Sequence, residues 1–278
     1  MNIGNRNTGR ENFFMGKRLR IAVFIVFFIG IVLTAFRYFK FVSKTVYEES
    51  ASHLTEVFHQ SNNVLNELAN KNLTYLHMWG EYLKKVSDES EIRDYIDKAQ
   101  EEAGFLYFYF LSADGNYKML TGEAGYLGLQ ENLEDKITLG EDIITNAVVP
   151  GKQQMLVFAS PQSHGSYQGF EYDAIAIAYE NADIVDVLDI SAFNGNAKSY
   201  VVHPDGRVVI DHSFEAWGTV YNFFGVLREH SNISEKEILE LSEKFKERRT
   251  DTMLVNLDGS NYYLVYGSSE CQDWIFLG

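Results

Sequence analysis

The groups in this 278-residue chain that could ligate a metal or move protons are seven histidines, one cysteine and thirty-nine acidic residues. The histidines (His53, His59, His77, His164, His203, His212 and His230) are scattered. No H-E-x-x-H, C-x-x-C, G-x-S-x-G or phosphate-cradling glycine loop occurs. The single Cys271 rules out an intrachain disulfide and a multi-thiolate zinc site. His203 and Asp205 stand across a predicted hairpin from Asp211 and His212. A metal site there would need convergent ligands held by a second layer of hydrogen bonds, so the better reading is a polar hairpin end. So many carboxylates make close Asp/Glu pairs inevitable, and no glycosidase-type pair can be argued from them. No catalytic residue, metal site or cofactor is expected.

The residues that suit binding are aromatic. Tyr107 and Tyr109 share one strand face by period two. Tyr117, Tyr126, Phe158, Ser160, Tyr172 and Asp173 come from neighbouring strands and loops. As a set they form a candidate aromatic box with a few polar groups, suited to a small organic ligand. The aspartate would suit an amine. Residue by residue, each of the eight also fits an ordinary core aromatic or a solvated carboxylate.

The elements that must position this set follow from periodicity. From Val42 to about Asp88 there is no proline and one glycine, Gly80. Apolar residues recur every seven at Tyr47, Leu54, Leu68, Tyr75 and Tyr82, with Ser61 in the gap. A companion row runs Phe58, Leu65, Trp79 and Val86, with Asn72 in its gap. This predicts a long amphipathic helix whose seam packs partly on a partner helix and partly on its own sheet. Residues 90–103 read as a second helix ended by Gly104. Strands follow at 105–111, 117–120, 153–159 and 172–179, then a short helix at 183–190. A strand, Asp-Gly, strand device occurs at Asp114-Gly115, Asp205-Gly206 and Asp258-Gly259. Ser234-Glu-Lys-Glu237 is a capping box opening another helix. The last strand is 274–277. The expected class is α+β, with antiparallel hairpins and helices between them.

Ahead of all this lies an uncharged run, Ile21 to Phe36, extended by Leu19, Tyr38 and Phe39. It approaches the roughly 20 residues needed to cross a bilayer. No small-x-small cleavage site follows it, so residues 19–39 read as an uncleaved anchor rather than a signal peptide. Five basic residues precede the run and three follow it, which puts residues 1–18 in the cytoplasm and residues after about 40 outside. Residues 1–44 hold eight basic residues against Glu11 alone, a balance of +7, leaving −22 for the rest of a chain of net −15. So acidic a body would repel nucleic acid and anionic headgroups. Its acidity serves solubility first, and a preference for cationic or amine ligands second.

The order and spacing of five strings resemble the double Cache family, whose units are PAS-like. The strings lie at 108–115, 190–195, 199–211, 262–266 and 273–278. The likeness is to extracellular sensor regions of clostridial-type sensor histidine kinases and diguanylate cyclases, and covers nearly all of the chain after the anchor. It implies a stalk and second helix at 40–100, a membrane-distal unit at 101–196 and a membrane-proximal unit at 197–278. It also implies a homodimer through the long helix, and a second transmembrane helix with a cytoplasmic output domain beyond the final strand. The family's amino-acid-binding pattern, Tyr…Arg-x-Trp-Tyr…Tyr…Asp, cannot be laid on this sequence. The leading expectation is the small-molecule sensing region of a bacterial transmembrane receptor, itself without enzyme activity. The alternative is a membrane-anchored structural or adhesive surface protein, which would need no pocket. An anchored hydrolase has no motif to support it.

Overall fold

The computed structural model describes residues 8–129, 132–148, 154–188, 199–211, 220–269 and 272–278. The string at 190–195, the boundary expected between 196 and 197, and His212 and Cys271 lie outside the described residues. The chain forms two compact units, residues 1–53 and 54–278.

Helix α1 (Thr8–Leu83) runs without a break through both the expected anchor and the expected stalk. Among the described residues it is the one helix long and apolar enough to cross a membrane. In the first unit its large apolar side chains stand uncovered: Phe24 is 76 % exposed, Phe36 68 % and Phe39 69 %. A helix apolar on every side with nothing packed on it suits lipid rather than water. The Thr34 hydroxyl in this stretch donates to the Gly30 carbonyl at 2.8 Å, so it adds no unsatisfied donor.

The second unit is α+β, as expected. After α1 come α2 (Glu89–Ala103), β1 (Tyr107–Leu111), β2 (Asn116–Met119), β3 (Ala124–Tyr126), β4 (Gly128–Leu129), α3 (Leu133–Leu139), β5 (Ile143–Val148), β6 (Gln154–Tyr167), β7 (Phe170–Glu180) and α4 (Asn181–Leu188). Then follow β8 (Tyr200–Val202), β9 (Val208–Asp211), α5 (Phe223–His230), α6 (Glu235–Lys246), β10 (Asp251–Leu257), β11 (Ser260–Ser268) and β12 (Ile275–Leu277). The strands make two antiparallel sheets. One has seven strands in the order β3-β2-β1-β7-β6-β5-β4, and the other five in the order β10-β11-β12-β8-β9.

Local chemistry explains the boundaries. Asp88 caps α2 by accepting from the backbone N–H of Ser90 and Glu91, and Gly104 ends it in the left-handed region at φ 76°. The capping box at Ser234 and Glu237 opens α6, as its sequence implies. At Asp258-Gly259 both residues have positive φ, the requirement of a two-residue hairpin turn. Gln168-Gly169 uses the same geometry to join β6 to β7.

Helix α1 buries one stripe from Leu54 to Leu83. Phe58 meets Phe276 of the five-stranded sheet edge-on at 5.4 Å. Gly267 of β11 permits this approach, since a Cβ there would come within 2.8 Å of the Phe58 ring. One long-range core therefore starts on the second sheet and continues along α1, where Trp79 packs on Phe105 and Phe108 beside the first. The companion row Phe58, Leu65 and Trp79 lies inside this core, whereas Leu68, Tyr75 and Tyr82 are only half-buried. The polar gaps Ser61 and Asn72 are both buried. Asn72 accepts from the Tyr179 hydroxyl at 2.9 Å, tying α1 to β7. That phenol is pushed up to about 12, chiefly by burial.

Side-chain amides bind the two sheets together. Asn146 and Gln154 donate to the Val208 carbonyl at 3.0 and 3.1 Å, and Asn181 donates to the Val209 carbonyl at 3.3 Å. Strand β9 is an edge strand, and these amides serve carbonyls that would otherwise face outward.

Candidate ligand site

The seven-stranded sheet has two unlike faces, and the register defines both. Phe108, Phe110, Ile144, Leu156, Phe158, Ile175 and Ile177 point to the helices and fill the main core. On the other face, one row across four strands reads Thr145, Val157, Ala178, Tyr107. The next reads Ile143, Ala159, Ala176, Tyr109, Met119. A third reads Ala174, Leu111, Tyr117, Gly125. The floor of this face is thus alanine at the centre, with tyrosines along one side.

The tyrosines form a cluster. Tyr107 and Tyr109 rings lie 5.9 Å apart, and Tyr109 and Tyr117 meet edge-on at 4.9 Å. Tyr117 folds over β3 because Gly125 has no side chain: a Cβ there would sit 2.9 Å from its hydroxyl. Burial raises the Tyr109 phenol above its ordinary value, and Tyr117, Tyr107 and Glu123 add to the effect, so it stays neutral. The face is covered by the segment between β2 and β5, through Leu127, Leu133 and the partly buried Ile137, not by a layer of long helices.

The eight residues singled out in the sequence divide between the two sides. Tyr107, Tyr109 and Tyr117 come together on the alanine face. Phe158 and Tyr172 belong to the helix-side core, where Phe158 stands edge-on to Tyr179 at 6.0 Å and Tyr172 lies 4.9 Å from Phe110. Burial raises the Tyr172 phenol. Ser160, two residues after Phe158, is buried on that strand opposite Ile175. Tyr126 is 63 % exposed on β3. Asp173 sits at the turn end of the sheet, where it accepts from the Ala113 N–H at 3.0 Å and pairs with His164 at 3.2 Å. This bond, with Glu171 2.9 Å from the other ring nitrogen, raises His164 above the usual imidazole range. Asp173 is therefore spent on a turn and an exposed ion pair.

Thr145 is a residue that reading the sequence missed. Its hydroxyl is fully buried on the alanine face, and its neighbour Asn146 points the other way to Val208. The alanines were missed too, although the alternation Ala174-Ile-Ala-Ile-Ala178 displays them. At the hairpin end of the second sheet, Asp205 is held by Arg207 at 2.7 Å, and the His203 ring packs on Trp274. The arrangement on the alanine face offers aromatic surface and hydroxyl groups.

No protein-family model matches the sequence, and no curated protein matches it. Solved structures do resemble the fold. The ligand-binding domain of the Pseudomonas aeruginosa amino-acid chemoreceptor PctB, in complex with L-Gln, superposes with a TM-score of 0.56 at 13% identity, covering 81% of this chain and 88% of that one. The ligand-binding domain of the chemoreceptor PctC from the same organism, in complex with GABA, gives 0.55 at 14% identity, over 82% and 98%. The extracellular domain of mmHK1S-Z3, described as a histidine kinase, gives 0.53 at 12% identity, over 81% and 92%. At such identities the likeness is one of fold.

Proposed function

We propose that this chain is the extracytoplasmic sensing region of a bacterial transmembrane receptor, and that its ligand sits on the tyrosine–alanine face of the seven-stranded sheet. The observation that carries the reading is the contrast between the two faces of that sheet, on a fold shared with sensory domains. One face is filled by large side chains against α1, and the other keeps five alanines beside three tyrosines under Leu127, Leu133 and Ile137. The uncovered apolar stretch of α1 supports membrane anchoring, and the basic residues before it support a cytoplasmic N-terminus. The half-buried row Leu68, Tyr75 and Tyr82 on α1 suits a homodimer through that helix. The output is of the kinase, cyclase or chemoreceptor kind and is reached through the membrane helix.

A route for the signal follows from strand geometry. On β5, Thr145 faces the site and Asn146 holds the second sheet, so a ligand that shifts β5 also moves β9. Such a shift transmits only the ligand's differential affinity for two arrangements. The test uses the full chain in lipid nanodiscs, screened against a broad metabolite collection by thermal unfolding. A compound that raises the melting temperature in a saturable way is expected. No shift from any compound overturns the ligand-site reading, and cysteine labelling that finds the body inside the cell overturns the topology.

A further inference from the structure

We infer that the tyrosine–alanine face takes an organic cation, an amine or quaternary ammonium, that carries no carboxylate. The inference rests on the ligand-site reading above and adds the charge of the ligand. Three tyrosine rings converge at the site, at 5.9 and 4.9 Å between neighbours, and clustered ring faces attract a desolvated cation. Two acidic residues beside the face have the sign that completes such a cage. Glu180 continues the alanine side of β7 one step past Ala178, pairs with Met155 and is half-buried. Glu123 lies in the β2–β3 turn, near enough for its charge to act on Tyr109.

Among the described residues, three cations of the surrounding elements have partners of their own. Lys118 donates to the Gln168 carbonyl at 3.0 Å, Arg93 to the Leu120 carbonyl at 2.9 Å, and Lys136 pairs with Glu141 at 2.8 Å. Among the described residues, then, a bound carboxylate would meet acidic groups and buried apolar surface without a positive partner, a costly arrangement. The −22 of the body acts in the same direction over a longer range, drawing cations and repelling anions.

The test compares three molecules of one shape and different charge: phenethylamine, phenylalanine and 3-phenylpropionate. Binding to the full chain in nanodiscs is read by calorimetry and by the melting shift. Phenethylamine should bind at least about tenfold tighter than either carboxylate. The variants Glu180→Gln and Glu123→Gln should each weaken it about threefold or more, with the unliganded melting temperature kept as the check on folding. Phenylalanine or phenylpropionate binding as tightly as phenethylamine overturns the charge assignment and leaves the ligand site standing. Binding of none of the three, with the metabolite screen also silent, removes the site itself. Amine binding that neither variant weakens overturns the role given to the carboxylates.

Discussion

The two sheets of the second unit are built from similar hairpins but treat their outer faces differently. The five-stranded sheet is packed with large residues on both sides. Val201, Val209 and Phe276 belong to the core shared with α1, while Tyr200, Val202, Val255, Tyr266 and Ile275 meet Phe223, Phe224, Leu227, Ile238, Leu241 and Phe245 of α5 and α6. Gly206, at φ 84°, lets the turn press on the Phe224 ring, where a Cβ would come within 2.5 Å. The seven-stranded sheet has such a layer on one side only. Its other side sets alanines under a seven-residue helix and short strands. A sheet backed by long side chains on both faces can support and relay, whereas a buried face floored by alanine and covered by short elements leaves less side chain for a guest to displace.

The sharpest way to break this contrast is to hollow out the second sheet's outer core. Phe245→Ala removes a ring that packs on Phe224 and Tyr266 and is fully buried. The expected cost is about 3–5 kcal/mol, read by chemical denaturation. Enlarging a side chain on the first sheet's alanine face comes next. Ala176→Leu should cost about 1–3 kcal/mol as its cover is pushed outward, while the far-UV spectrum stays native. Removing one of the amides between the sheets is milder. Asn146→Leu should cost about 1 kcal/mol, because Gln154 still serves the Val208 carbonyl. The same variant should reduce the transfer of protection from ligand to β9 in hydrogen exchange.

The smallest effect concerns the exposed end of the β6–β7 hairpin. His164 titrates above its ordinary value because Asp173 and Glu171 hold its charged form. Its folded value is raised, so its contribution to stability is fully present below the unfolded value near 6.5. That contribution is lost as pH rises through the raised folded value. Stability of His164→Gln should therefore match wild type in mild alkali and fall slightly below it in mild acid. An NMR titration of His164 with its midpoint at or below 6.5 would contradict the pairing.

Features set by local chemistry could be read from the sequence. Gly104, the Ser234 capping box and the three Asp-Gly turns each carry their own backbone reason, and each stands where it was expected. What depended on distant pairing could not be read. Strand β1 pairs with β7, some sixty residues on, and that register decides that Tyr109 and Phe158 face opposite ways. Strand β6 is marked by the sequence pattern only over 153–159. It continues to Tyr167 through an irregularity between Pro161 and Gly165. Strand β5 and helix α3 were not anticipated, and Thr145 was overlooked with them. The seam of α1 was half legible: its spacing marked a helix, but the row that enters the core was settled by which sheet lay beside it.

In the proposed reading, a small molecule binds on the alanine side of the first sheet. Thermal unfolding of wild type and Ala176→Leu, side by side in nanodiscs against the compound that best stabilises wild type, tests it most directly. Wild type should show a clear rise in melting temperature and the variant none. An equal rise in both proteins would put the binding site elsewhere and contradict it.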